Sequence, residues 1–410
     1  MKEEKRMILS MLEEGKITTE EALELLEAIE ETEGSFSYDN SEEYIDSKEK
    51  IKEEIRKSAE EIRNNARKTE GFGSNLGSLI SNIVNSIVDK STSFNLSGLY
   101  ETINTKIEKD ISNIENPIID LEALNGSINA RSWDKDKISM DITIKYRNKD
   151  FPNATDFYKF YEEDNVFRFR PIHRNNLIIS LDINLPNKYY EEIILKTSNG
   201  KVSVNDLELG YLTVKTSNGS INIDAINSKD INLSTQNGRI LLNHISSPAI
   251  NGKTSNGSVS LQHINSQNLN ISTINGKIRF MDINSENISG KTSNSSIELE
   301  DAVGKIVKLR TSNGSIVCKN IDEEKIGELN LSTSNSSISV DLNNTNKPKY
   351  FDLETSIGNI SLDIPDLVYK VNKKDYVGSK RIIAHSVNFN EEKEYFHLKA
   401  STSNGSITIR

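Results

Sequence analysis

The 410-residue chain has one cysteine, one tryptophan and seven prolines. A single cysteine excludes a framework of internal disulfides, and no CxxC or His/Cys spacing of a structural zinc site occurs. No run of 18 apolar residues is present, and the charged start, residues 1–6, lacks the apolar stretch of a signal peptide. No nucleotide-binding glycine loop occurs. We therefore expect no cofactor and a cytoplasmic location, either free or peripheral at the membrane, with a non-standard route to the cell surface as the alternative.

A short phrase, Thr-Ser-Asn-Gly in its commonest form, recurs along the second half of the chain. Six of the eight intervals between successive threonines are 19 residues, and a further copy begins at Thr402. Self-similarity at a short fixed period indicates stacked supersecondary units, each in contact with its neighbours. The threonines are Thr197, Thr216, Thr235, Thr254, Thr273, Thr292, Thr311, Thr333 and Thr355.

Each repeat carries apolar residues at fixed distances from its threonine, which we number position 0. These distances are +5, +7, +10, +15 and +17, and spacings of two indicate strands. Asn-Gly predicts a turn with positive φ, and the polar run 227–230 predicts a second turn. The sequence thus predicts a mainly β protein, a right-handed parallel β-solenoid with about 19 residues per coil. In one coil the apolar residues are Ile221, Ile223, Ile226, Ile231 and Leu233.

Asparagines occupy position +2 in nearly every repeat. In a parallel stack they form one column, which predicts a ladder of hydrogen-bonded amides. Cys318 falls at position +7, where other repeats have Ile223 or Leu261, and we expect a small buried apolar side chain there.

Positions −1 and +4, on either side of the Thr-x-Asn-Gly phrase, carry one cation in most repeats. One interpretation is a soluble surface on which alternation separates like charges. The other is a linear basic track for an anionic membrane or wall polymer. With a net charge of −11 we expect no nucleic-acid partner. The candidate ligand-binding residues are Lys196, Lys201, Lys215, Arg239, Lys253, Lys277, Lys291 and Arg310.

Position +9 collects polar residues that could bind a metal. His244, His263 and Asp282 fall on consecutive repeats there. Ligation requires convergence that stacking alone does not supply, so the alternative is a solvated polar column. We predict no catalytic residues and no metal, with these three side chains as the weak candidate.

The repeat region, which we place at 91–410, has irregular segments near both ends. A first coil begins at Ile119, has Ala123 in the threonine slot and is expected to continue in step to Ile142. The aromatic-rich segment 146–176 interrupts the period and predicts a flap over one face. The segment 365–397 predicts a cover for the open edge of the last coil.

The first 90 residues differ in kind. Residues 1–33 predict a helical hairpin, because the capping box at Thr18 opens a second helix. We expect this hairpin to pair with a protein partner or with another copy of the chain. Residues 34–90 predict a charged helix, as a coiled-coil seam or a spacer, and then an amphipathic helix without charge. That helix either caps the rod or inserts into a membrane surface. Its apolar residues are Leu76, Leu79, Ile80, Ile83, Val84, Ile87 and Val88.

The Thr-Ser-Asn-Gly-Ser-Ile phrases over about 115–410 resemble the adhesin-like β-strand-repeat proteins of the DUF4097 type. Residues 11–26 resemble the short helical (SHOCT-like) module found before such repeats. The resemblance implies a β-solenoid without assigned catalysis, and some members are tied to cell-envelope stress. We therefore favour a non-enzymatic, envelope-associated scaffold. The alternatives are an adhesin or polysaccharide-binding rod, and an enzyme of the polysaccharide-lyase β-helix type, which would need acids and an arginine clustered on one face.

Overall fold

The computed structural model describes residues 101–147, 153–174, 176–374 and 379–410. The chain divides into two compact units, Met1–Gly98 and Leu99–Arg410, and the described residues all belong to the second. The predicted helical hairpin, the charged helix and the amphipathic helix from Leu76 to Val88 lie outside the described residues. Within the ranges given, no helix is long and apolar enough to cross a membrane.

The described residues form strands joined into one sheet, with a 3-10 helix at Ala154–Asp156. The strands are β1 (Glu101–Asp110), β2 (Ile118–Glu122), β3 (Asn125–Trp133), β4 (Lys137–Tyr146), β5 (Tyr158–Glu163), β6 (Val166–Pro171), β7 (Leu177–Pro186), β8 (Tyr189–Lys196), β9 (Val202–Lys215), β10 (Ile221–Ser234), β11 (Ile240–Ser246), β12 (Ala249–Lys253), β13 (Val259–Ser272), β14 (Ile278–Lys291), β15 (Ile297–Arg310), β16 (Ile316–Ile321), β17 (Ile326–Ser332), β18 (Ile338–Leu342), β19 (Lys349–Ile357), β20 (Ile360–Leu362), β21 (Leu367–Lys374), β22 (Lys380–Ser386), β23 (Phe396–Asn404) and β24 (Ile407–Ile409).

Successive repeats stack in parallel, and from Val202 to Arg310 most strand residues pair with the residue 19 positions later. Ile221 pairs with Ile240, Ile240 with Val259, and Val259 with Ile278. The predicted parallel solenoid is confirmed, whereas its right-handed winding stays a prediction. The five apolar side chains of the coil that begins at Thr216 are all at most 3% exposed, so the rows of stacked aliphatic side chains form the core.

Each coil has three sides, where the sequence predicted two. Residue Ala225 at +9 and residue Lys229 at +13 have no partner in the ladder between β9 and β10, and the inward-facing residues change parity at both points. The three arms of this coil are 221–224, 226–228 and 230–234. Ser228 of the short middle arm faces inward and is buried, which the apolar pattern alone did not reveal.

In the repeats that begin at Thr197 to Thr311, the positive φ lies at +9 and not, as predicted, at the Asn-Gly turn. Among the described corners only Asn125 of the first coil, with φ 58°, and Gly358 near the end of the stack, with φ 158°, have a positive φ. A Cβ on Gly219 would instead lie 1.7 Å from the carbonyl oxygen of Gly200 in the neighbouring coil, so close backbone approach is what favours glycine here. The left-handed residues at +9, with φ from 50° to 56°, are Asp206, Ala225, His244, His263, Asp282, Asp301 and Asn320.

The coil that begins at Ile119 stacks on the coil of Thr197. The amide of Ala123 donates at 2.8 Å to the carbonyl of Lys196, the −1 residue of the next coil. The amide of Thr197 donates to the −1 residue Lys215 in the same way, so Ala123 does occupy the threonine slot. The prediction that this coil continues in step to Ile142 is wrong. After Trp133 the chain turns back, and β4 runs antiparallel to both β1 and β7. The alternating apolar residues of β4 suit either direction, which is why periodicity could not separate the two arrangements.

The aromatic segment does not form a flap over a face. Strands β5 and β6 make an antiparallel hairpin, and β6 adds to the end of the stack by pairing in parallel with β2. Phe167 and Phe169 are buried, and the rings of Tyr158 and Phe169 stack with centroids 4.7 Å apart. The aromatic rings therefore fill the end of the core.

At the other end the order in space departs from the order in the chain. Strand β23 lies between β17 and β19, in parallel with both, and β24 lies between β18 and β20. Beyond β19 come β22 and then β21, both in antiparallel pairings. The segment 365–397 thus extends the sheet past the last parallel strand, as a cover for its edge would.

Candidate functional site

The Thr-x-Asn-Gly turns of successive coils stack in one row along the rod, and we call this row the asparagine corner. Each asparagine donates its Nδ2 to the Oδ1 of the asparagine in the preceding coil, as between Asn256 and Asn237 at 2.6 Å. The predicted amide ladder is confirmed, and its side chains are largely exposed. An amide carries two N–H donors, so one donor on each residue is left for a ligand. The ladder runs through Asn125, Asn199, Asn218, Asn237, Asn256, Asn275, Asn294, Asn313, Asn335 and Asn404.

The buried threonines of the repeat stabilise the asparagine corner through hydrogen bonds to the backbone. Thr254 Oγ1 donates to the carbonyl of Gly238 at 3.0 Å and accepts from the amide of Gly257 at 3.2 Å. The hydroxyl therefore ties one coil to the preceding one and closes the turn of its own coil. A valine of the same shape would leave both backbone groups unpaired, which accounts for threonine in this slot.

The cation columns lie on both sides of the asparagine corner, as the sequence predicted. Along the −1 column Lys215 neighbours Ser234, and Ser234 neighbours Lys253. Alternation fails at two places, where Lys196 lies beside Lys215 and Lys291 beside Arg310. Strands are spaced about 4.8 Å apart, so these pairs concentrate charge.

Seven of the eight candidate cations have no carboxylate partner among the residues that the structure describes, and Lys277 is the exception. Its Nζ lies 2.5 Å from Glu298 Oε1 in the next coil, and Arg279 contacts the other oxygen of Glu298 at 2.9 Å. Burial acts to raise the pKa of the Glu298 carboxyl. The hydrogen bonds and charges of the two cations outweigh it and hold that pKa below its ordinary value.

Sequence reasoning missed Lys308. It lies two residues before Arg310 on β15, points to the same side of the sheet and is exposed. With Lys291 in the preceding coil, it completes a cluster of three cations that have no ion pair in the described part of the chain. Lys308 could have been predicted from the period of two in strands, because this period places Lys308 and Arg310 on one face.

The basic stretch is narrow and bounded. Glu122 lies beside Lys196 at one end of the −1 column, and Glu354 ends it beyond Ser401. In the coil of Thr216 the adjacent arms carry Asp224 and Asp230, whereas the same positions of most other coils are uncharged. The candidate cations thus follow the length of the rod between Glu122 and Glu354, an arrangement that suits a chain-like ligand.

The three metal candidates at +9 lie on consecutive coils, but their donor atoms do not converge. The rings of His244 and His263 stack with centroids 4.8 Å apart and planes 17° apart. Nδ1 of His263 lies 2.6 Å from Asp282, and Nδ1 of His244 lies 3.2 Å from Asp224. The described residues contain no group of three or more side chains placed to hold a metal. Left-handed φ favours Asp, Asn and His, which accounts for the composition of the column.

Cys318 is fully buried among the stacked aliphatic side chains, as predicted. Burial raises the pKa of its thiol, and the charge of Asp341 acts in the same direction. A thiol without a stabilised thiolate is a poor nucleophile, so the residue serves the core.

A parallel solenoid with a phrase of this kind at one corner of successive coils defines a class of repeat protein, and sequence comparison gives the family. The Toastrack DUF4097 profile matches residues 119–251 and 230–410, and a SHOCT-like domain profile matches residues 3–34. The chain belongs to the Toastrack DUF4097 family, as the repeats suggested.

Among known proteins, the chain is similar to the uncharacterized protein YvlB of Bacillus subtilis. The two are 28% identical over 228 residues, which is 53% of this chain and 58% of that relative. The chain therefore matches little more than half the length of this curated relative.

The chain also has matches among solved structures. A "putative adhesin" of Bacteroides fragilis is 11% identical over 76% of this chain and 97% of its own, with a TM-score of 0.32. A "putative cell adhesion protein" of Clostridium sporogenes covers 75% of this chain and 99% of its own at 12% identity, with a TM-score of 0.23. Scores this low leave the family assignment resting on the sequence matches. None of these three proteins carries the name of an enzyme.

Proposed function

We propose that this protein is a non-enzymatic scaffold of the bacterial cell envelope that binds a linear anionic polymer along its asparagine corner. The observation that carries the proposal is the line of unpaired cations beside exposed amides. Phosphate or carboxylate groups of a polymer would accept hydrogen bonds from the free N–H of the ladder and gain charge from the flanking side chains. The candidate cations lie in two narrow columns beside the corner, which suits a chain better than a broad anionic surface, so we place a polymer before a membrane.

The same proposal gives the N-terminal residues a separate task. The match to a SHOCT-like domain supports a module for a protein partner or a second copy, and residues 76–88 remain the candidate for membrane contact. A cytoplasmic position at the inner face of the membrane, with a role in envelope stress, fits both. An adhesin exposed on the cell surface is the alternative.

The test is charge reversal along the corner. A variant with Lys215, Lys253, Lys291 and Arg310 changed to glutamate should bind poly(glycerol phosphate) at least about tenfold more weakly in isothermal titration at low salt. Binding by the unaltered protein should weaken as salt increases, because the contacts are exposed. Unfolding in urea should change little.

The matched control reverses four exposed lysines elsewhere, Lys135, Lys145, Lys319 and Lys393, for the same change in net charge. Equal loss in both variants would mean that only net charge matters and would contradict a site at the corner. Binding to phosphatidylglycerol vesicles, but not to the soluble polymer, would replace the polymer by a membrane surface.

A further inference from the structure

Strands β23 and β24 form a rung that is inserted between two rungs made earlier in the chain. Leu398 of β23 pairs with Leu329 on one side and with Phe351 on the other. Ile407 of β24 likewise pairs with Ile338 and with Ile360. The inserted rung therefore has a parallel neighbour on both edges, and its removal would open a slot within the stack.

The two neighbouring rungs form hydrogen bonds to the Thr-Ser-Asn-Gly phrase of the inserted rung. Thr402 Oγ1 donates to the carbonyl of Ser336 at 2.9 Å, and Asn404 Nδ2 donates to Asn335 Oδ1 at 3.0 Å. On the far side, the carbonyl of Gly405 accepts from Thr355 Oγ1 at 2.9 Å. A strand without threonine and asparagine at the first two positions would lack these side-chain hydrogen bonds. A Cβ in place of Gly405 would lie 2.0 Å from the carbonyl oxygen of Ser336.

An empty slot would be costly. The inward side chains of Phe396, Leu398, Ile407 and Ile409 are fully buried, and their departure would expose the apolar side chains that they cover. Two unpaired strand edges would also face water, and such edges attract another strand. The slot would therefore take up any chain segment that restores these contacts.

The connection to the inserted rung is long and exposed. Internal rungs are joined to their neighbours through short corners, so none of them can leave without unravelling the stack. By contrast, residues 387–395 join β22 to β23, with Val387 69% exposed and residues 390–394 exposed. Such a segment spans roughly 30 Å when extended, enough to carry the rung to another molecule.

We propose that β23–β24 is an exchangeable rung, and that the slot takes the same rung from a second copy of this chain to give a reciprocally swapped dimer. A second copy supplies the same rung, with Thr402, Asn404 and Gly405 at the corner and the same apolar residues at the buried positions. Reciprocal donation closes both slots, so the assembly stops at two copies. The exchange does not involve the cation columns, which leaves the proposed polymer site intact.

The first experiment measures exchange in the whole protein. A specific protease site is placed within 390–394, the chain is cut, and a fluorescent peptide of residues 396–410 is added in mild urea. We expect a saturable rise in anisotropy as the peptide replaces the resident rung. The matched peptide carries Ile407→Asp and Ile409→Asp and should not enter. No uptake of the native peptide, or equal uptake of both, would overturn the proposal.

The second experiment needs no cut. Ser386 and Phe396 lie on the two sides of β19, about 9.6 Å apart. Deletion of residues 387–394 leaves one residue between them, which spans only about 7 Å, so that the rung no longer reaches its own slot. We expect this variant to be a dimer by light scattering, whereas the full-length chain dimerises only after refolding at high concentration. A monomeric deletion variant with unchanged β circular dichroism would overturn the second-copy assignment. If the deletion prevents folding, the peptide experiment decides alone.

Discussion

Asn404 donates a side-chain hydrogen bond to Asn335 at 3.0 Å, although 69 residues of chain separate the two. Between Asn218 and Asn313 the ladder joins residues only 19 apart. Most of the rod can therefore form by adding one coil to the previous one, with short loops to close. Strand β19 cannot take its final place until β23 has arrived, because β23 is its parallel neighbour. Contacts of such high sequence separation form slowly.

Termination of the chain after residue 395 should accordingly unfold one end and spare the rest. We expect amides of β19 to β22 to exchange rapidly with deuterium, because their parallel neighbour is absent. Amides of β9 to β15 should stay protected, since each of those strands keeps both neighbours. Hydrogen exchange followed by mass spectrometry distinguishes the two groups. Uniform loss of protection would show that the rod unfolds as a single unit.

Replacement of Asn256 by alanine interrupts the amide ladder in the middle of the rod. The side chain donates to Asn237 and accepts from Asn275, both at 2.6 Å. Because the ladder is exposed, water replaces the lost partners, and we expect a loss of about 1 kcal/mol in the free energy of unfolding in urea. Asn270→Ala is the control, since its one ladder contact is 3.4 Å long, and it should cost less than half as much. Equal losses would mean that the short ladder bonds add nothing.

The repeat period was sufficient to predict the parallel stack, the five buried positions and the asparagine ladder. These features depend on one side chain recurring at one spacing, which a sequence shows directly. The inserted rung could not be predicted, because Thr355 and Thr402 carry similar phrases and nothing in either specifies its neighbour. The partner of Lys277 was also missed, since Glu298 lies on the next coil and outside the two columns considered.

Ala225 offers a test of the left-handed conformation at position +9. Its φ of 53° places a Cβ in the left-handed region, which costs about 1–2 kcal/mol for an ordinary residue. Ala225→Gly should therefore stabilise the protein by about 0.5–1 kcal/mol, measured as a higher urea midpoint with an unchanged slope. Ala249→Gly, at the start of β12 and outside the left-handed region, should destabilise by a similar amount. A loss at both positions would contradict the strained conformation of Ala225.

A buried ion pair lies near the inserted rung. Glu323 is fully buried, and its Oε1 lies 3.5 Å from Nζ of Lys349, which is itself 7% exposed. The ammonium also donates to the carbonyl of Thr345. The repeat pattern did not reveal this pair, because Glu323 lies in the turn between β16 and β17 and Lys349 begins β19, both at positions that carry no repeating residue.

Glu323→Leu should destabilise strongly, by about 3–5 kcal/mol, since it leaves the ammonium of Lys349 buried without its counter-ion. Adding Lys349→Met should recover most of this loss, because neither charge then remains buried. Urea unfolding of the single and double variants measures the recovery. The exposed neighbour Glu324, changed to leucine, is the control and should alter stability little. A double variant less stable than the single one would mean that Lys349 is held mainly by the backbone carbonyls around it.

The protonation state of Glu298 should affect the proposed binding site, because its carboxylate pairs with Lys277. Its folded-state pKa lies below the ordinary 4.5, so the carboxylate stabilises the fold above that value, and this contribution is lost as pH falls through the folded-state pKa. Glu298→Gln removes the carboxylate that occupies Lys277 and Arg279. At neutral pH we expect the variant to bind poly(glycerol phosphate) severalfold more tightly than the unaltered protein, because two more cations face the polymer.

The advantage of Glu298→Gln should disappear on acidification, since a protonated Glu298 resembles glutamine. Titrations from neutral pH to below 4 should therefore bring the two affinities together, and the stability of the variant should lack the loss at acid pH that Glu298 causes. Glu300→Gln is the matched control: it lies two residues along the same strand, removes the same charge and has no cation partner within the described residues. If Glu300→Gln improves binding as much as Glu298→Gln does, the gain comes from net charge, and Lys277 plays no part in holding the polymer.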